Sequence, residues 1–421
     1  MGAAPGATVE VPPGRYQGPI VLARPITLRG VGYPVIDGGR RGDVVVIIGG
    51  DVRIEGFEIR GSALAYSSEA AGVVIRGDRA AIRHNRISDV LFGVYLAGAN
   101  DAVVEGNVIA TADLPLERRG HAVNLWKTRG ARLRDNRIVR GKDGFYVSFS
   151  DQNIIERNTV TGCRYGIHYM YSNENVFRGN LFHDNAVGAA VMYSSDVTLV
   201  GNTFEGSRSA ATGVGLLFKD GDRLLIRENR IVRNRTALEF DNAPAETGGW
   251  VRVERNLIAF NAVGFGMMST AAITATENTI VENLRPFQPR GAVRADANRW
   301  TVDGRGNYWG DYTGFDLAHD GIGDVPYRRT DLLENLAGRS PALQAFLFTP
   351  AHHAIDAAAR LMPLLEAAPV IEDSAPLMRP SVSAREAGGR RTGTPMLWIG
   401  LGLVMAAAIG IAALRPGGKP S

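Results

Sequence analysis

The sequence predicts an all-β chain wound as a right-handed, single-stranded parallel β-helix, and three observations predict it. Asn136, Asn158, Asn180 and Asn202 follow one another at intervals of 22 residues. A glycine stands eight residues after each of the first three, at Gly144, Gly166 and Gly188. Each glycine opens a short apolar-rich run, Gly144-Phe-Tyr-Val, Gly166-Ile-His-Tyr and Gly188-Ala-Ala-Val. A fixed period of this kind is the mark of a stacked repeat, and 22 residues is too short for the common helical-pair repeats. The alternation of Val, Ile, Phe and Tyr with polar residues has the period of a strand. Short strands that cannot cover their own apolar face stack on copies of themselves, about 4.8 Å apart.

The template extends outwards through Asn85, Asn107, Asn229, Asn256 and Asn278, with spacings of 22, 29 and 27 residues that mark loops inserted into single coils. Asparagine suits a recurring corner because it tolerates left-handed backbone and its amides can bond the next coil.

Along the chain, residues 1–15 contain no apolar core of signal-peptide length, yet Val9-Glu-Val-Pro-Pro-Gly-Arg-Tyr already reads as strand and turn. A start that has lost a signal and a polar-faced cap is the expectation. Residues 16–61 read as the first coils. Insertions follow at Ala110–Gly120, Ser207–Gly213 and Asn242–Gly249, and loops on a rigid stack are where binding concentrates. The pattern decays after Asn278 and resumes at Gly306-Asn-Tyr-Trp-Gly-Asp-Tyr, read as the closing end. Residues 331–366 switch to a period of three and four, through Leu332, Leu333, Leu336, Leu343, Phe346 and Leu347, so helices are expected there. The predicted order is β-helix over 1–327, helical tail over 328–366, extended linker over 367–394 and membrane anchor over 395–414. Residues 396–414 are nineteen residues without a charge, flanked by Arg390, Arg391 and Arg415, about the length a bilayer core demands.

Composition narrows the function. The 421 residues include 51 glycines, with a net charge of only +4 and no basic run interleaved with aromatics, so nucleic acid is not indicated. A single cysteine, Cys163, excludes an internal disulfide and any cysteine-cluster metal site.

Alternation sends the first and third residues after each repeat glycine inward and leaves the second and fourth on one outer face. Read up the stack, that face carries Tyr95, Asn124 and Trp126, then Tyr146, His168 and Met170, then Met192 and Lys219, then Glu239 and Asp241. Met170 and Met192 fall on adjacent coils with His168 on the same face and Tyr146 and Trp126 beneath. Two thioethers and an imidazole suit Cu(I); a mixed Met, Tyr and His face also suits a protein partner. His121 and His183 fall in a loop and a corner and read as solvated. Lys219, Glu239 and Asp241 would instead serve a polysaccharide lyase or epimerase, which needs a base beside a charge neutraliser. Asp316-Leu-Ala-His-Asp-Gly-Ile-Gly-Asp324 has the spacing of a calcium loop only in part, because Ala318 sits where a third acid is wanted.

The run from Gly306 to Tyr327 resembles the signature that closes the β-helix of the NosD family, periplasmic maturation proteins of nitrous oxide reductase. Asp331-Leu-Leu and Asp373-Ser-Ala-Pro-Leu-Met-Arg-Pro resemble that family's tail, and the likeness runs nearly to Pro380. Ala318 and His319 replace an acid and a glycine usual in the signature. The resemblance implies a periplasmic, non-enzymatic protein that docks on the permease and ATPase of an ABC transporter, with a copper chaperone and nitrous oxide reductase as further partners. It would pass copper or sulfur species to the reductase. Partner contact is expected at Trp126 and Tyr146 on the face and at Leu377, Met378 and Arg379 in the tail. The competing class is a carbohydrate-active β-helix enzyme, which rests on the coils alone.

Overall fold

The structure is a computed structural model that describes residues 3–268, 272–290, 297–329 and 371–382, together with Thr349 and Ala354. In the unit that ends at Val382, three parallel sheets of 12, 13 and 12 strands form a right-handed solenoid. Each turn gives one strand to each sheet. One turn is built from Arg132–Arg134, Arg137–Val139 and Asp143–Ser148, and the next repeats it in register, with Leu133 on Ile155, Ile138 on Val160 and Phe145 on Ile167. We call the sheets first, second and third in that order.

The inward positions are filled as alternation requires. Leu133, Ile138, Phe145, Val147 and Ile167 are fully buried. Like side chains stack on like, as in the ring pairs Phe182–Phe204 at 5.1 Å and Phe218–Phe240 at 5.3 Å. Burial of such side chains, each worth roughly 2–3 kcal/mol, is what holds one coil on the next. The repeat glycines have a steric reason. A Cβ on Gly166 would stand 2.5 Å from the carbonyl oxygen of Gly188, and one on Gly188 would stand 2.4 Å from that of Gly215.

The asparagine column is a continuous buried ladder. Asn136 donates through both its backbone N–H (2.9 Å) and its side-chain Nδ2 (3.0 Å) to Oδ1 of Asn158, and Asn158 donates from Nδ2 to the Leu133 carbonyl at 2.9 Å. The same pattern recurs from Asn85 to Asn278 and continues to Asn307. The left-handed corner belongs to the residue before each asparagine, not to the asparagine itself as the sequence suggests. His84, Asp135, Arg157, Glu228, Arg255 and Glu277 carry positive φ there, as do Gly106, Gly179 and Gly201. Asparagine is needed for its donors and acceptor, and its neighbour absorbs the backbone bend.

The ladder ends on Asp373. Its Oδ2 accepts the Asn307 backbone N–H at 2.7 Å and the Trp309 indole N–H at 2.9 Å, and its Oδ1 accepts from Thr301. Ile371–Asp373 pairs antiparallel with Tyr327–Arg329, and Tyr327 stacks on Trp309 at 4.5 Å. Residues 371–382, expected as linker and docking tail, therefore close the end of the coils. The helices expected within 331–362 lie outside the described residues apart from Thr349 and Ala354, as does the uncharged stretch 396–414. No helix among the described residues is long and apolar enough to cross a membrane.

Candidate functional site

On the outer face of the third sheet, register stacks chemistry-bearing side chains into columns. Tyr95, Asn124, Tyr146 and His168 form one column. Ala97, Trp126, Ser148, Met170, Met192 and Lys219 form the next. Met170 and Met192 are thus direct partners on neighbouring coils, as the period requires, and both are half-buried. Lys219 follows them but is held by Asp241 at 2.8 Å.

A third column, one position before each repeat glycine, contains the residues that sequence reasoning missed. It places Asp143 beneath Tyr165 and level with the position of His121 one coil earlier. The Lys142-Asp143 pair reads from sequence as a solvated corner, and His121 as a loop residue. In the structure Asp143 is 0% exposed and His121 is 7% exposed. The reason is cover. The chain between Ser62 and Ala70 and the insertion before His121 fold over the face, burying Ala71, Val74, Leu91 and Phe92 with Leu64 and Leu114.

Asp143 is the centre of this buried cluster. Arg164 makes a two-pronged bond to it, Nε to Oδ1 at 3.0 Å and Nη2 to Oδ2 at 2.8 Å. His168 Nδ1 lies 2.9 Å from Oδ2. His121 Nδ1 comes within 3.2 Å of the same oxygen but without the alignment of a hydrogen bond. Burial alone would raise the Asp143 pKa; contacts from both imidazoles and the guanidinium outweigh it and hold the carboxyl far below the usual range. Burial pushes the His121 pKa down against the pull of Asp143. Aromatic rings wall the cluster: Tyr146 stacks on His121 at 4.4 Å and meets His168 edge-on at 5.0 Å, and Tyr165 packs on His168 at 4.9 Å. Arg164 lies over the Tyr165 ring at 4.6 Å.

Beside the methionine column, the corner that follows it carries exposed aromatic rings. Phe149 and Tyr171 stack at 5.3 Å, Tyr171 and Tyr193 at 5.1 Å, and Trp126 meets Phe149 edge-on at 5.1 Å. All are between 37% and 48% exposed. Phe149, Tyr171 and Tyr193 hold positive φ of 49° to 52°, a conformation that bulky side chains rarely adopt.

The remaining candidates are placed differently. Cys163 is buried, which pushes its thiol up to about 12, so it offers no thiolate. His183 bonds its neighbour Asp184 at 2.9 Å. In the closing loop, Asp316 accepts backbone N–H groups of Asp320 and Gly321, Asp320 that of Ile322, and Asp324 that of Leu317. These bonds hold the turn together through its own carboxylates. Among the described residues no group of three or more His, Cys, Asp or Glu is arranged to hold a metal ion. Leu377, expected to touch a partner, is 4% exposed, because the tail packs on the coil end. Its neighbours Met378 and Arg379 line a cavity of about 720 Å³ with Phe315, Asp316 and His319.

Three comparisons bear on this geometry. Residues 111–314, the span that holds both the Asp143 cluster and the methionine pair, match the family model described as NosD, periplasmic copper-binding protein. A "probable ABC transporter binding protein NosD" of Stutzerimonas stutzeri is 30% identical over 391 residues, covering 88% of this chain and 86% of its own. Its counterpart in Pseudomonas aeruginosa is 30% identical over 388 residues, with 87% of each covered. Among solved structures, the catalytic unit of a GH87 α-1,3-glucanase from Streptomyces thermodiastaticus superposes with a TM-score of 0.57 at 22% identity, over 75% of this chain and 65% of that one. That likeness is one of fold.

Proposed function

The chain belongs to the NosD family, and from that membership we propose that it is a maturation factor for nitrous oxide reductase that carries copper on the outer face of its third sheet. The observation that carries the reading is the registered pair Met170 and Met192, with His168 two residues from Met170 on the same strand. Thioethers are soft and neutral, so with one imidazole they favour Cu(I) over Zn(II). They also bind without competing for protons. A half-buried position suits cargo that must be both held and passed on.

The partners follow from the family. The relatives' names point to an ABC transporter, whose permease and ATPase would receive this chain, with Met378 and Arg379 as tail contacts. A copper chaperone and the reductase would meet the face near Trp126 and Tyr146. The family's description as periplasmic supports work in that compartment. Copper or a sulfur species destined for the reductase's copper centre is the cargo class.

A carbohydrate-active enzyme is the competing reading, since the Asp143 cluster gathers an acid, two imidazoles and tyrosines on one face. Proton abstraction needs a base poised near the working pH. Asp143 is held far below that range, and Lys219 and Asp241 neutralise each other. The soft-ion reading uses the same face without asking any group to act against its setting.

The experiment is the double variant Met170→Leu, Met192→Leu, expressed at normal level beside the reductase. Leucine keeps the approximate volume, so stability should change by less than about 1.5 kcal/mol. Copper content of the purified reductase should fall sharply. A reductase with its full copper would reassign the methionines to packing or plain partner contact.

A further inference from the structure

The geometry points to Asp143 as a positioning residue that fixes the tautomer of His168, so that its Nε2 is the nitrogen left to ligate the soft metal ion. This inference rests on the copper-carrying reading above and adds to it a group that touches neither the ion nor a partner.

An ionised carboxylate can only accept hydrogen bonds. Asp143 Oδ2 stands 2.9 Å from His168 Nδ1, so Nδ1 carries the proton and, in the neutral ring, Nε2 keeps the lone pair. Of the two nitrogens it is therefore Nε2 that can bind an electrophile. Metal-ligating histidines commonly give their other N–H to such a carboxylate, which sets the ring orientation and raises ligand basicity.

Three features make Asp143 more than a chance neighbour. The carboxylate is fully buried with a two-pronged Arg164 bond, which fixes its plane. The His168 ring is clamped between Tyr146 and Tyr165, at 5.0 and 4.9 Å, so it cannot turn freely to exchange its nitrogens. Asp143 is also 25 residues from His168 along the chain, a contact made only by stacking one coil on the next. The arrangement orients the imidazole before any ion arrives, which lowers the ordering cost of binding.

The test uses the full chain. Long-range ¹H–¹⁵N NMR of histidine-labelled wild type, with the signal assigned through His168→Gln, should show His168 as the Nδ1–H tautomer. An Nε2–H tautomer would overturn the inference without any variant having to fold. Asp143→Asn should then release the tautomer into a mixture and lower Cu(I) affinity, measured by competition with bicinchoninate, by about 10- to 100-fold. Thermal unfolding followed in parallel confirms that the variant is folded at the temperature of the titration. Equal Cu(I) affinity in folded Asp143→Asn and wild type would overturn the positioning role while leaving the copper site standing. A wild type that takes no Cu(I) although His168 is fixed as Nδ1–H would overturn both this inference and the copper reading, a result distinct from the first two.

Discussion

The asparagine column from Asn85 to Asn307 and the aromatic corner column of Phe149, Tyr171 and Tyr193 both recur once per coil, yet they stand in opposite circumstances. Every asparagine of the first is at most 1% exposed, and its donors and acceptor are met by the coils above and below. The aromatic rings are 41–48% exposed and sit in left-handed corners. At the same corner on neighbouring coils stand Gly98, Lys127, Asp220 and Asn242. Glycine, asparagine and aspartate are residues at ease with positive φ. Three aromatics replace them where the next column holds Ser148, Met170 and Met192. A repeated residue whose bonds are completed within the chain serves the stack. One that is exposed and conformationally costly is better accounted for by what lies outside it.

The sharpest way to break this contrast is to remove one rung of each column. Asn158→Ala leaves the Asn136 backbone N–H buried without a partner, at a cost of about 1–3 kcal/mol, and removes the side-chain donor that the Leu133 carbonyl accepts beside its ladder bond. Denaturant unfolding should show a loss of about 2–5 kcal/mol. A loss below about 1 kcal/mol would mean that water replaces the rung and that the ladder is not what aligns the coils. Tyr171→Asn forfeits stacking on Phe149 and Tyr193 but relieves the corner. The stacking of each aromatic pair is worth only about 0.5–1.5 kcal/mol, so stability should stay within about 1 kcal/mol of wild type. If the rings serve a partner, association with a copper-exchanging protein should weaken nonetheless, as read by calorimetry. Unchanged association would return the aromatic column to the stack.

The smallest expected effect separates the covered part of the face from the open part. Because burial lowers the His121 pKa, the unfolded chain takes up that proton first as pH falls past about 6.5. The neutral ring therefore contributes stability above that value that is lost on acidification through it. Asp143, with its pKa depressed, keeps its contribution through the same window and loses it only in strong acid. His121→Gln should flatten the fall in melting temperature between pH 7 and 5 relative to wild type. An equal or steeper fall would mean that the ring is not held neutral.

The repeat made the fold legible, and it also brought together part of the candidate site. Period and alternation put Met170 over Met192 and His168 beside them, because both rules concern the backbone and survive any side-chain chemistry. They also put Val94, Leu125 and Val147 inside. What they could not supply was cover. Asp143 and His121 looked solvated because charged corner pairs usually are. A usable signal was nevertheless present, since the position before each repeat glycine reads Phe92, His121, Asp143, Tyr165, Val187, a column too apolar for open solvent. Asn307 was hidden because the pattern decays after Asn278, and Asp373 by 66 residues of intervening chain. Its role as the last rung depends on a return of the chain that no local period announces.

The most direct test of the account is X-ray absorption at the copper edge of the full chain loaded with one equivalent of Cu(I). A first shell of two sulfurs and one nitrogen is expected, changed to a shell without sulfur, or to no bound copper, in the Met170→Leu, Met192→Leu variant. A wild-type shell of nitrogen and oxygen alone, or an identical spectrum from the double variant, would contradict it.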